Sequence, residues 1–259
     1  MKPVCLIIGA GAGIGGHVGK RFARDGYHII LSRRSDASGL ENLVKDIVQD
    51  GGSAEGRLLN IVDENAIENL IHDIEKNSGP IEVVVHNIGA QIGNRRLTDT
   101  SLKTFELGWR LSCFSLFRLA YTVLPLMAQR GKGTLLVTSS TAAQRGNAGQ
   151  HSHAAAMGGR RMLCQSLNAE FASQNIQVAH IVIDGAVDAP DTLGKMLGPE
   201  AFEKLRKDKG SEDGLMLPEH IADTYFHIAQ QHRSVWTHEL DLRSFSDEAW
   251  WNHAVNIEF

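Results

Sequence analysis

The chain has 259 residues, 22% of them charged and 42% hydrophobic, with a formal net charge of −4. That length is most simply one large α/β domain with enough chain to bury a substantial core. The charge balance leaves no basic footprint for nucleic acid, and no apolar run in the sequence reaches membrane-spanning length.

Apolar strand-like runs alternate with longer helical patterns, which implies a parallel sheet covered by helices on both faces. Residues 4–8 are mostly β-favouring and apolar, and they run straight into glycines at 9, 11, 13 and 15. That stretch ends in a glycine turn rather than a cleavage-site pattern, so it reads as a first strand and not a signal peptide. Apolar positions 14, 18, 22 and 23 then recur at helical spacing. Strand, glycine turn and helix make the geometry that binds a dinucleotide. Glycine lets the backbone come close to the pyrophosphate, and the helix N-terminus offers unpaired N–H groups to its charge.

Further strands are expected over 28–32, 55–59, 81–85, 134–138, 176–183 and 239–242. Helices are expected over 40–49, 64–76, about 101–129, 151–173 and from Pro218 onward. Residues 184–217 have poor periodicity and hold Pro190, Pro199 and several glycines, so a lid or binding loop is expected there. These elements make one doubly wound Rossmann domain over 1–259, with about seven parallel strands. Cys5, Cys113 and Cys164 are odd in number and lie in apolar segments, as free thiols in a reducing cytoplasm would.

Just after the second strand stands Ser32-Arg33-Arg34, with no carboxylate until Asp36. A carboxylate there would accept from the ribose 2′-hydroxyl of NAD, whereas two guanidinium groups suit the 2′-phosphate of NADP. NADP is therefore the expected cofactor, ahead of NAD.

The spacing Gly9-x-x-x-Gly13-x-Gly15 resembles the short-chain dehydrogenase/reductase family, and the resemblance extends over about residues 4 to 242. It implies a cofactor site built from Gly9, Ala12, Gly13, Ile14 and Gly15 of the turn. Asn60-Ile61 after the third strand resembles the family's adenine-contacting Asp-Val. His86-Asn87-Ile88-Gly89 resembles its Asn-Asn-Ala-Gly turn, with Asn87 and Gly89 matching. Asp184-Gly185-Ala186-Val187 falls where the family has Pro-Gly, and Val187 would face the nicotinamide carboxamide.

The resemblance breaks at the family's catalytic asparagine, serine, tyrosine and lysine. Ser140 takes the serine's place, His153 stands thirteen residues on where tyrosine is expected, and Met157 stands in the lysine's place. Ser112 stands where asparagine is expected. Tyrosine titrates near ~10 and needs a cation to work at neutral pH, whereas histidine titrates near ~6.5 unaided. A neutral Met157 is thus compatible with a working His153, and no neighbouring like charge is expected to push that imidazole down.

Two readings follow. One is an NADP-dependent oxidoreductase acting on a carbonyl, alcohol or activated double bond through Ser140 and His153. The other is a nucleotide-binding sensor or scaffold without turnover. The partner in the first is a small-molecule substrate. The apolar helices from Ser101 and His151, with the family resemblance, imply a homodimer or homotetramer. Phe105, Trp109, Phe114 and Phe117 at helical spacing suit core or subunit packing. Trp250-Trp251 suits a substrate mouth or a subunit contact. His151 and His153, two apart on a helix, diverge and make no metal pair, and His180 in an apolar strand suits the core.

Overall fold

The strands are Val4–Ile8 (β1), His28–Arg33 (β2), Ser53–Leu58 (β3), Ile81–His86 (β4), Gly133–Ser140 (β5), Ile176–Asp184 (β6) and Glu239–Arg243 (β7). In the computed structural model, which describes residues 2–89 and 95–249, they form one sheet in the order β3-β2-β1-β4-β5-β6-β7. Every neighbouring pair is parallel. The order reverses between β1 and β4, so a crevice opens at the carboxyl ends of those two strands, where such sheets bind ligands.

The helices are Ile14–Arg24 (α1), Ala37–Gln49 (α2), Ala66–Asn77 (α3), Leu102–Trp109 (α4), Ser115–Arg130 (α5), His151–Phe171 (α6), Lys195–Leu197 (α7), Pro199–Gly210 (α8) and Pro218–Ala229 (α9). β1 shows why the fold has two cores. Its side chains alternate, so Val4, Leu6 and Ile8 join α3, α5 and α6 on one face of the sheet. Cys5 and Ile7 join Val18, Phe22, Ile221 and Tyr225 from α1 and α9 on the other. A strand covered on both faces must be apolar throughout, and the five residues of β1 are all buried.

Two expectations change. The segment 184–217 is largely helical: a π-turn over Pro190–Gly194 leads into α7 and α8. α8 is started by Pro199 and Glu200 and ended by Lys207 and Lys209, which suit the two ends of its dipole, but only Phe202 of its side chains is buried. A stripe that thin leaves no periodicity to read. The apolar stretch 102–130 is the second. By length and composition the helical run is long and apolar enough to cross a membrane, contrary to the expectation of none. Half of its most apolar stretch is buried, and Leu116, Leu119, Val123, Leu124 and Met127 are fully covered within the core beside α3. It is a core helix, interrupted by a five-residue π-turn at Arg110–Phe114.

The outer face of that helix is different. Leu102, Phe105, Trp109, Phe117 and Tyr121 are exposed, with Trp109 stacked on Phe114 and Phe117 on Tyr121. Among the described residues, two imidazoles lie wholly inside the protein. His86 at the end of β4 meets Ser115 Oγ through Nε2 at 2.9 Å, and His180 of β6 meets Glu239 through Nδ1 at 3.0 Å. Burial pushes His86 well below the ordinary histidine value and His180 down to about 4, although Glu239 opposes the latter shift. The cysteines are free thiols, Cys5 and Cys164 fully buried and Cys113 partly so. Trp250 and Trp251 lie outside the described residues.

Candidate active site

The crevice begins where β1 ends. The N–H groups of Gly9 and Ala10 both donate to Ser32 O of β2, and Asn87 Nδ2, just past β4, donates to Gly9 O at 2.9 Å. Gly9 adopts φ +98, and a Cβ there would lie 2.4 Å from Asn87 O, so only glycine fits. Asn87 therefore ties the two strand ends together at the switch point. A Cβ on Gly13 would lie 2.8 Å from Ala189 Cβ, which shows how closely the segment after β6 rests on the turn.

Two adjoining cavities occupy the crevice. One of about 340 Å³ is lined by Ser32, Arg33, Arg34, Asn60, Ile61 and Asp191. The other, of about 350 Å³, is lined by Gly13, Ile14, Gly15, Ser140, His153 and Val187. Gly9, Gly11, Asn87, Ile88 and Gly89 line both. The structure thus brings the expected residues into one groove running from Arg34 to His153. Ala12 takes part through its N–H group, which donates to Asp191 Oδ2 at 3.2 Å.

At the Arg34 end the charges are already engaged. Arg33 lies 3.1 Å from Asp36 and 3.5 Å from Asp191, so its guanidinium is shared by two carboxylates, while Arg34 is exposed. Asp36 caps α2 by accepting from the Gly39 N–H. That bond, then Ser38 and the Arg33 charge, holds its carboxyl below the ordinary value. The first carboxylate after β2 is therefore a helix cap. Asp191 had no signal in the sequence. Burial pushes its carboxyl up, but the Ala12 N–H, Lys195 and Arg33 outweigh that and hold it below the ordinary value.

At the opposite end, Ser140 Oγ and His153 Nε2 are 3.1 Å apart. Ser140 ends β5 and His153 lies in the first turn of α6, so a strand end and a helix start fix the pair. One turn on, Met157 is buried, and its sulfur receives the hydroxyls of Ser139 at 3.8 Å and Ser112 at 4.0 Å. Ser112 is held inward by the π-turn, a feature common at functional sites.

A cation nevertheless lines the cavity that holds His153, namely Arg160. Its buried guanidinium donates to the carbonyls of Ile88, Ser112 and Thr138. A charged residue on a helix reads as a solvated face, so its inward position was legible only from its place three after Met157. Chemically, the arrangement offers a hydroxyl and an imidazole in hydrogen-bond contact, a fixed cation behind them, and a glycine turn beside them. The cradle fits a dinucleotide: small residues leave backbone exposed along it, and its far end carries arginine.

The sequence pattern of the short chain dehydrogenases matches residues 3–193. The 7alpha-hydroxysteroid dehydrogenase of Escherichia coli (strain K12) is 29% identical over 200 residues, covering 77% of this chain and 76% of that protein. The 3-oxoacyl-[acyl-carrier-protein] reductase FabG of Thermotoga maritima is 28% identical over 189 residues, covering 73% and 76%. Among solved structures, a 7 alpha-hydroxysteroid dehydrogenase complexed with NADH and 7-oxo glycochenodeoxycholic acid has a TM-score of 0.80 at 26% identity, covering 93% of this chain and 92% of that one. A short-chain dehydrogenase from Rhodopseudomonas palustris has a TM-score of 0.78 at 28% identity, covering 94% and 99%.

Proposed function

The chain belongs to the short-chain dehydrogenase family and is an NAD(P)-dependent oxidoreductase; from that premise we propose that it uses NADP(H) to interconvert a carbonyl and an alcohol, or to reduce an activated double bond, with histidine in place of the family's tyrosine. The observation that carries this reading is the 3.1 Å contact between Ser140 Oγ and His153 Nε2 in a cavity shared with the glycine turn. The bound nicotinamide supplies or accepts the hydride. Gly9, Ala12, Gly13, Ile14 and Gly15 hold the pyrophosphate, Asn60 and Ile61 the adenine, and Arg33 and Arg34 the 2′-phosphate. Asn87, Ile88, Gly89 and Val187 line the nicotinamide end. Ser140 Oγ donates to the substrate oxygen, and His153 Nε2 gives that oxygen its proton as negative charge develops there.

The competing reading, a nucleotide-binding sensor or scaffold without turnover, draws on Met157. A neutral thioether fills the lysine's place and is held there by two serine hydroxyls. Consumption of NADPH across a panel of aldehydes, ketones and quinones separates the two. Turnover of at least one class is expected, and tight NADPH binding with no turnover of any would favour the sensor.

The exposed aromatic face of α4 and α5 supports a homodimer or homotetramer. Light scattering should give a multiple of 28.3 kDa, and a monomer mass at every concentration would refute assembly. The free thiols suit a reducing compartment such as the cytoplasm.

A further inference from the structure

The inner face of α6 carries His153, Met157, Arg160 and Cys164 at helical spacing. Among the described residues Arg160 is the largest fully buried side chain, and none of their ion pairs involves it. Stripping a guanidinium of water without a carboxylate to match it is costly, because carbonyl dipoles offset only part of the lost hydration. An apolar residue would pack the position without that cost. Burial lowers the group to about 10, which still leaves it charged at neutral pH.

Four of its five N–H groups are engaged: Nε and Nη2 with Ser112 O, Nη2 also with Ile88 O at 2.8 Å, and Nη1 with Thr138 O. These carbonyls belong to the π-turn, to the loop that follows β4, and to β5 just before Ser139-Ser140. One side chain thus braces three of the segments that build the reaction end of the groove.

Among the described residues, the titratable groups around it do not cancel its charge. His86 from β4 is held neutral by burial, and the Cys113 and Cys164 thiols and the Tyr225 phenol are all pushed up by burial. His180 from β6 is neutral as well. Beyond it Glu239 is engaged by Arg161. His153 meets Ser140 from β5, shares its cavity with Met157 and Arg160 of α6, and shares a shallow recess with Arg95 and His151.

On the oxidoreductase reading above, we propose that Arg160 is a positioning residue that supplies the fixed positive charge of the reaction centre, from the turn after the neutral Met157. Its field favours negative charge on an oxygen held by Ser140. The same field makes protonated His153 a stronger acid toward that oxygen.

The test compares R160Q, which keeps N–H donors but no charge, with R160K, which keeps the charge but not the fork. Histidine-labelled protein is titrated by NMR, with the His153 signal assigned from H153F. His153 should titrate about one pH unit higher in R160Q than in wild type, while R160K stays within a few tenths of a unit. Carbonyl reduction should fall roughly 10–100-fold in R160Q and survive largely intact in R160K, although both lose carbonyl bonds and both melt lower. R160M serves as the neutral variant if R160Q does not fold. Identical His153 titrations in all three proteins, or rates in R160K and R160Q that fall equally, would overturn the proposal. An inert wild type whose His153 still responds to Arg160 would remove the oxidoreductase reading alone. An active wild type whose His153 ignores it would remove this inference alone.

Discussion

His153→Phe should lower the rate of carbonyl reduction by about 10²–10⁴-fold, the usual loss for a missing general acid, while NADPH affinity stays nearly unchanged. The separation of effects follows from where the residue sits. His153 lines only the Ser140 end of the groove, whereas Arg34 and Asn60 line the other end and the glycine turn runs along both. Phenylalanine keeps an aromatic ring against Ser140 but has no nitrogen to give up a proton. In wild type the rate of reduction should fall as pH rises through the imidazole's titration, because the protonated form is the donor. The variant should lack that limb. A variant that turns over as fast as wild type would reduce His153 to a packing residue. Restoring the family's pair with His153→Tyr and Met157→Lys is a harsher change than the sequence suggests. A lysine at 157 would lie one turn from the buried Arg160 guanidinium, with no carboxylate between them. Activity from the double variant should therefore require Arg160→Leu as a third change.

Nucleotide preference should show the second largest effect. NADPH is expected to bind roughly 10–100-fold tighter than NADH, the range of one or two charged hydrogen bonds to the 2′-phosphate. Since Arg33 is shared between Asp36 and Asp191, the exposed Arg34 should carry more of that preference. Fluorescence titration of Arg34→Ala should remove most of it, and Arg33→Ala less. Asp191→Asn should act in the opposite sense. Its carboxylate takes the Ala12 N–H and part of Arg33, both of which an incoming phosphate needs. Removing the charge should tighten both nucleotides about two- to fivefold, within the range for partly exposed charges. Equal affinities for the two nucleotides, unchanged when both arginines are replaced, would sink the NADP assignment.

The parts of the site built by backbone were legible in advance, because backbone geometry leaves strong residue signatures. Gly9 must be glycine at its φ and its distance from Asn87, and β1 must be apolar because both of its faces are covered. The Ser140–His153 pair was legible only through the family resemblance, which sets the serine and tyrosine positions thirteen residues apart. What escaped is governed by tertiary contact. α8 hides because Phe202 is its one buried side chain. Asp191 meets Ala12 across 179 positions of chain, and nothing local marks it. Arg160 breaks the rule that charge faces water, and only its place three residues after Met157 marks it as inward.

The two buried imidazoles have a consequence for proton balance. His86 Nδ1 and His180 Nε2 have no hydrogen-bond partner among the described residues, so a proton added there would enter an unsatisfied interior. The unfolded chain, by contrast, takes up those protons freely below about pH 6.5. A folded value below the unfolded one means that the stabilisation is complete above that pH and is lost as pH falls toward 4. For His180 alone the loss is on the order of 3 kcal/mol, from a shift to about 4. Melting temperature should accordingly drop between pH 7 and pH 5, ahead of most carboxylate titration, and a flat profile across that interval would contradict it. Unfolding in that interval should take up protons on these histidines, ahead of the carboxylates that titrate lower.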